Sequence, residues 1–184
     1  MPQSNQKLMT QLRYVGCVFA ALLCIELVNI FTGRILNQFS IVPRSLSSLP
    51  FIFTAPFLHA TFQHFASNII TLCVFILLVL QFGKRKFVIL SAVLIINTGL
   101  LVWIFGRNAH HLGASGVIYG YFGFLILAGF LSKRISLMLM SALVAFFYGA
   151  MVWGVLPSQP YISWESHLFG FLCGLASAKY LSKK

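Results

Sequence analysis

Acidic residues are nearly missing from this 184-residue chain, which holds two, Glu26 and Glu165, and no aspartate. A pair of catalytic aspartates is therefore impossible, and no His-Glu-x-x-His zinc motif occurs. Charge of either sign is scarce, at 8% of residues, where a soluble domain carries about a quarter. The four cysteines, Cys17, Cys24, Cys73 and Cys173, fall inside apolar runs and read as reduced packing residues rather than disulfides or ligands. A cleavable apolar signal core before Cys17 is also lacking, so the first run reads as a retained anchor. What is abundant is apolar surface, 59% of residues, gathered in runs near the roughly 17–25 residues that span a bilayer. The chain is read as an all-α integral membrane protein.

Six runs qualify: Tyr14–Phe31, Phe65–Phe82, Phe87–Phe105, Ser115–Leu131, Ile135–Leu156 and Trp164–Leu181. On this division residues 1–13 form an N-terminal tail, 14–181 the membrane domain and 182–184 a C-terminal tail. The basic residues orient the spans. Lys7, Arg13, Lys84, Arg85, Lys86, Lys133, Arg134, Lys179, Lys183 and Lys184 fall on one side, and only Arg34, Arg44 and Arg107 on the other. By the positive-inside bias both termini are cytoplasmic. The net charge of +11 is thus an orientation signal and a hold on anionic lipid. Scattered over short loops, it is not a nucleic-acid footprint.

Glu26 lies within the first span. An intramembrane carboxyl points to function by default, but the preferred reading is a protonated group hydrogen-bonded to a neighbouring helix. The stretch 33–63 is long for a loop and apolar, with Pro43, Pro50 and Pro56 arguing against another spanning helix. It reads as a half-inserted structural loop or as a gate. His64 and Asn68, four apart, share one face at the start of the second span. Gly116 and Gly120 on the fourth span, and Gly170 and Gly174 on the sixth, have the small-residue spacing of closely packed membrane helices. The third span reads as scaffold, and the fifth shows no chemistry beyond Tyr148.

Alternating direction brings the polar groups together. The second, fourth and sixth spans all begin on the outer side, and with them His64 and Asn68, Ser115, and His167. His59, His110 and His111 share that depth. A serine hydroxyl is a weak nucleophile that needs a base within reach, and His167 supplies one from a helix packed through glycines. At helix N-termini the positive dipole and free N–H groups stabilise an oxyanion beside Ser115. His64 and Asn68 are further donors for it. Glu165, two residues from His167, points to a different side of its helix. The expectation is a Ser-His dyad.

These residues resemble the rhomboid intramembrane serine proteases. Gly113-Ala114-Ser115-Gly116 is similar to that family's Gly-x-Ser-Gly motif. His59, His64 and Asn68 match its His-x4-His-x3-Asn, and His167, Gly170 and Gly174 its His-x2-Gly-x3-Gly. The resemblance implies a six-helix bundle with a membrane-embedded first loop and a water-filled active site below the membrane surface. It implies Ser115 as nucleophile and His167 as general base. His64, Asn68 and the Ser115 N–H then form the oxyanion site, and Tyr119 packs against the His167 ring. No cofactor or metal is implied, and the partners are membrane lipids and single-pass transmembrane proteins cut near the outer face. A minimal layout of this kind suggests a bacterial plasma membrane. The Trp-Arg pair common in the family's first loop is absent, and Ser166 stands where alanine is usual. An inactive rhomboid-like protein that binds membrane helices is the alternative, and a small transporter or metal-binding protein using the outer histidines a more distant one.

Overall fold

The computed structural model describes residues 3–157 and 162–182. Its six long helices are α1 (Gln3–Phe31), α2 (Phe62–Val79), α3 (Lys84–Phe105), α4 (Ser115–Ser132), α5 (Ile135–Tyr148) and α6 (Trp164–Leu181). Among the described residues five segments are long and apolar enough to cross a bilayer; α6, with Glu165, His167 and Lys179, is not among them. The protein is an all-helical integral membrane protein.

Several boundaries differ from the expected ones, and three bear on the packing. Helix α1 continues upstream of Tyr14 to Gln3, through the stretch read as a tail. It is held there by Gln11, a buried residue whose amide nitrogen donates to the Leu80 carbonyl at 3.4 Å and whose amide oxygen accepts from Gln81 at 3.1 Å. Helix α3 opens at Lys84 rather than Phe87, so the basic cluster forms its first turn. The fifth run is not one helix. It stops at Tyr148 and continues as a 3-10 segment, Gly149–Val155. Glycine is a weak helix former, and the tighter winding lengthens the rise per residue.

Helix α4 is the hub, buried on every side from Ser115 to Leu125. A membrane helix is drawn into such a position by close packing rather than by hydrophobic driving force. The two glycine pairs meet: a methyl on Gly170 would overlap the Gly116 carbonyl, and one on Gly174 the Gly120 carbonyl. Helices α4 and α6 therefore run parallel with their backbones almost touching. Gly120 also leaves room for Leu94 of α3. At the far end the Ser141 hydroxyl of α5 donates to the Leu125 carbonyl and accepts from the Gly129 N–H, binding α5 to α4.

The stretch between α1 and α2 is built of 3-10 turns, Ile35–Phe39, Leu46–Phe53 and Ala55–Phe57. Pro50 and Pro56 sit inside or at the start of these turns, which need few backbone donors. Ile41, Ile52 and Ala55 pack on Val102 of α3. Arg44, in the left-handed region at φ 62°, donates to the Gly106 carbonyl at 2.8 Å and caps the C-terminus of α3. The loop is also sewn to the chain before α4. Ile41 and His111 exchange backbone hydrogen bonds of 3.0 and 2.8 Å, and the Gly113 N–H donates to the Ala55 carbonyl at 2.9 Å.

Among the described residues Glu26 makes no hydrogen bond to a neighbouring helix. It forms an ion pair with Arg34 at 2.8 Å, the chain turning back through Gly33 and Arg34, both at positive φ. The same guanidinium donates to the His59 carbonyl at 2.9 Å, which also accepts from Asn37 and Asn29. The carboxyl thus anchors the loop rather than serving as a reacting group. Removing one partner of a buried pair leaves an uncompensated charge. Arg34 is partly exposed, so Arg34→Ala should cost about 2–4 kcal/mol in unfolding from detergent micelles. Glu26→Gln, whose amide oxygen still accepts from Arg34, should cost less.

Candidate active site

The serine lies at the first position of α4 and is 8% exposed. Ala114 before it offers no side-chain cap, so the first N–H groups of the helix stay available to a ligand. Gly113 has φ 118°, a conformation that suits glycine alone, and its missing side chain makes room for two polar groups. A Cβ there would lie 2.9 Å from His64 Nε2 and 3.6 Å from Asn68 Nδ2. Asn68 Nδ2 is buried and has no hydrogen-bond partner among the described residues. An orphaned buried donor is costly, and this one faces the turn that carries Ser115. Thr61, the N-cap of α2, accepts from the His64 N–H at 3.1 Å and fixes where α2 starts.

His167 is held from two sides. Its ring stacks on Tyr119 with centroids 4.1 Å apart and planes 6° from parallel. Tyr119 is one turn beyond Ser115 on α4, and helical side chains lean back toward the N-terminus, so the tyrosine carries the imidazole toward the serine turn. His167 Nδ1 then lies 2.9 Å from the Gly154 carbonyl. A carbonyl only accepts, so Nδ1 carries the proton, and in the neutral ring Nε2 keeps its lone pair. That is the tautomer a general base requires. Ser115 and His167 do not hydrogen-bond to each other among the described residues; such contacts often tighten only when substrate is bound.

Gly154 was not foreseen. It lies in the 3-10 segment that follows α5, and it contributes through a backbone oxygen, which every residue has. Its side of the turn is also filled, since a methyl on Gly154 would overlap the Tyr119 hydroxyl. Glu165 makes no hydrogen bond to the base among the described residues. It is 2% exposed and accepts from the Arg107 backbone N–H at 3.2 Å, with the Arg107 guanidinium 3.7 Å away.

The other histidines are not equivalent. His59 is 1% exposed, edge-on to the rings of His64 and Phe65, with no partner for either ring nitrogen among the described residues. Burial first, then His64 and Arg34, hold its pKa down to about 3. It is neutral at physiological pH and acts as packing behind His64. His110 Nδ1 meets the Ser40 hydroxyl at 2.7 Å, and His111 bonds to Ser163 and Arg107.

Taken together, fold and site define a polytopic helical protein with a serine-bearing helix start set against a histidine-bearing partner helix. Comparison with known proteins places it further. The Rhomboid domain family matches residues 46–184. A protein of Mycobacterium tuberculosis is 32% identical over 174 residues, covering 89% of this chain and 72% of its own length. One of Mycobacterium leprae is 31% identical over 172 residues, covering 89% and 68%. Both carry the name of an uncharacterised protein. The chain belongs to the rhomboid family, whose members are generally intramembrane serine hydrolases acting on membrane proteins.

Proposed function

We propose that the protein is an active intramembrane serine endopeptidase working through a Ser115–His167 dyad. The observation that carries this reading is the 2.9 Å contact of His167 Nδ1 with the Gly154 carbonyl, which requires the proton on that nitrogen and leaves the other basic. In the first step His167 Nε2 takes the Ser115 proton as Oγ attacks the scissile carbonyl. The charge on the tetrahedral oxygen falls where the Ser115 N–H, His64 and Asn68 converge, and preorganised donors of this kind are worth several kcal/mol, about 3–4 for one donor. The imidazolium, steadied by the Gly154 carbonyl, protonates the leaving amine. Water then hydrolyses the acyl-enzyme by the same route in reverse order.

The substrates are single-pass proteins cut near the outer end of their transmembrane segment. A peptide bond within a helix is closed to attack, so local unwinding of the substrate is required, which small residues near the scissile bond favour. The positive-inside bias supports cytoplasmic termini, and the mycobacterial relatives support a bacterial plasma membrane. The membrane domain is 14–181, with α1 extending upstream of it to Gln3.

The test is covalent. A fluorophosphonate probe should label the detergent-purified protein at Ser115, found by peptide mass spectrometry, and leave Ser115→Ala unlabelled. Equal labelling of the two proteins would remove Ser115 from the nucleophile's role. Absence of labelling in the wild type would favour a non-catalytic protein that holds membrane helices.

A further inference from the structure

Two stretches lie beside the proposed reacting groups: the loop that leads into α4 and the first turn of α6. They are joined by a chain of short hydrogen bonds that the proposed chemistry does not use. His111 Nε2 lies 3.0 Å from the Arg107 carbonyl, and His111 Nδ1 lies 2.6 Å from the Ser163 hydroxyl. Ser163 is in turn 2.6 Å from the Ser166 hydroxyl. Ser163 is the N-cap position of α6, and Ser166 immediately precedes His167. Ser166 also packs against Gly116, the residue after Ser115, its Cβ lying 3.5 Å from the point a Gly116 Cβ would occupy.

The direction of every proton in this chain follows from what each atom can do. The Arg107 carbonyl can only accept, so His111 Nε2 carries a proton. In the neutral ring Nδ1 is then an acceptor, and Ser163 must donate to it. Ser163 has spent its one proton, so it accepts from Ser166. Neutral His111 fixes one order; a proton on Nδ1 turns the acceptor into a donor and reverses it.

We propose that His111, Ser163 and Ser166 are positioning residues, a polarised relay that sets the α6 start, and with it His167, against the serine turn. The proposal rests on the protease reading of the site. It also gives Ser166 a part: its hydroxyl is the last donor of the relay. His111 is 2% exposed. Its charged and titratable neighbours are Arg107 and His110 in its own loop, Glu165 on α6, and Arg44, whose guanidinium binds the Gly106 carbonyl beside the His111 ring. Burial, the largest influence, favours its neutral form, and the bond to the Arg107 carbonyl and then Glu165 oppose that. At neutral pH the relay therefore stands in its productive order, and acid undoes it.

The experiment is the rate of fluorophosphonate labelling of Ser115 across pH, with unfolding midpoints measured alongside, for wild type, His111→Gln, His111→Leu and Ser163→Ala. Glutamine offers an acceptor and a donor but takes up no proton. At neutral pH Ser163→Ala and His111→Leu should label about tenfold or more slowly than wild type, whereas His111→Gln should be rescued toward the wild-type rate. The acid limb should approach a two-proton slope in the wild type and a one-proton slope in His111→Gln. If Ser163→Ala labels at the wild-type rate, or the acid limb is the same in His111→Gln, the relay is overturned while the dyad stands. If the wild type itself takes no label, the protease reading falls first. Should His111→Leu fail to fold, Ser163→Ala and His111→Gln decide the matter alone.

Discussion

His167→Ala should lower cleavage of a model transmembrane substrate by about three orders of magnitude or more, with Ser115→Ala as damaging and the double variant little worse. On the proposed mechanism the two residues act as a unit: without the imidazole the hydroxyl keeps its proton, and without the hydroxyl the imidazole has nothing to activate. Any residual rate comes from the donors around the oxyanion position, which neither substitution touches. Tyr119→Ala should fall between these extremes, about tenfold to a hundredfold down. It leaves both reacting groups in place and removes only the ring that the imidazole stacks on at 4.1 Å. Steady-state cleavage in micelles, read as kcat and KM separately, checks all of these. A loss confined to KM would mean that His167 binds substrate rather than acting on the serine.

Much of this arrangement could be read from the chain because a bilayer makes sequence unusually literal. Runs of apolar residues mark helices. The glycine pairs announced the α4–α6 contact, since close backbone approach in lipid requires small residues. What stayed hidden depended on backbone atoms and on turns. The Gly154 carbonyl that orients His167 leaves no trace in side-chain chemistry. Nor did the run Ile135–Leu156 betray that its helix gives way at Gly149, since apolar content alone does not distinguish an α-helix from a 3-10 turn. Glu26 was read as structural, but its partner is Arg34, reached through a left-handed turn at Gly33 and Arg34 rather than across to another helix. Composition marked the loop after α1 as apolar and its prolines as unsuited to a spanning helix. Its 3-10 turns, and the hydrogen bonds from Ile41 and Ala55 to the chain before α4, are long-range pairings that no local pattern encodes.

Gly170→Ala should slow Ser115 labelling by about a hundredfold, although Gly170 carries no reacting group. Its new methyl would stand 2.9 Å from the Gly116 carbonyl carbon and 3.3 Å from its Cα, and would overlap the oxygen. Both sides of that clash are backbone, so no rotamer change relieves it, and α6 must draw away from α4. Ser115 is the residue before Gly116, and His167 is one turn before Gly170, so the displacement opens the site itself. Gly174→Ala makes the same kind of overlap with Gly120, one turn deeper. Each should cost about 1–3 kcal/mol of stability as overpacking. The rate should separate them, with Gly170→Ala the slower for an equal loss in unfolding midpoint. Gly16→Ala on α1, where a methyl meets nothing within 4 Å, should leave the rate unchanged and raise stability slightly, by up to about 1 kcal/mol. If Gly170→Ala labels as fast as Gly16→Ala, then the spacing of α4 and α6 does not set the distance between hydroxyl and imidazole, and the glycines serve packing alone.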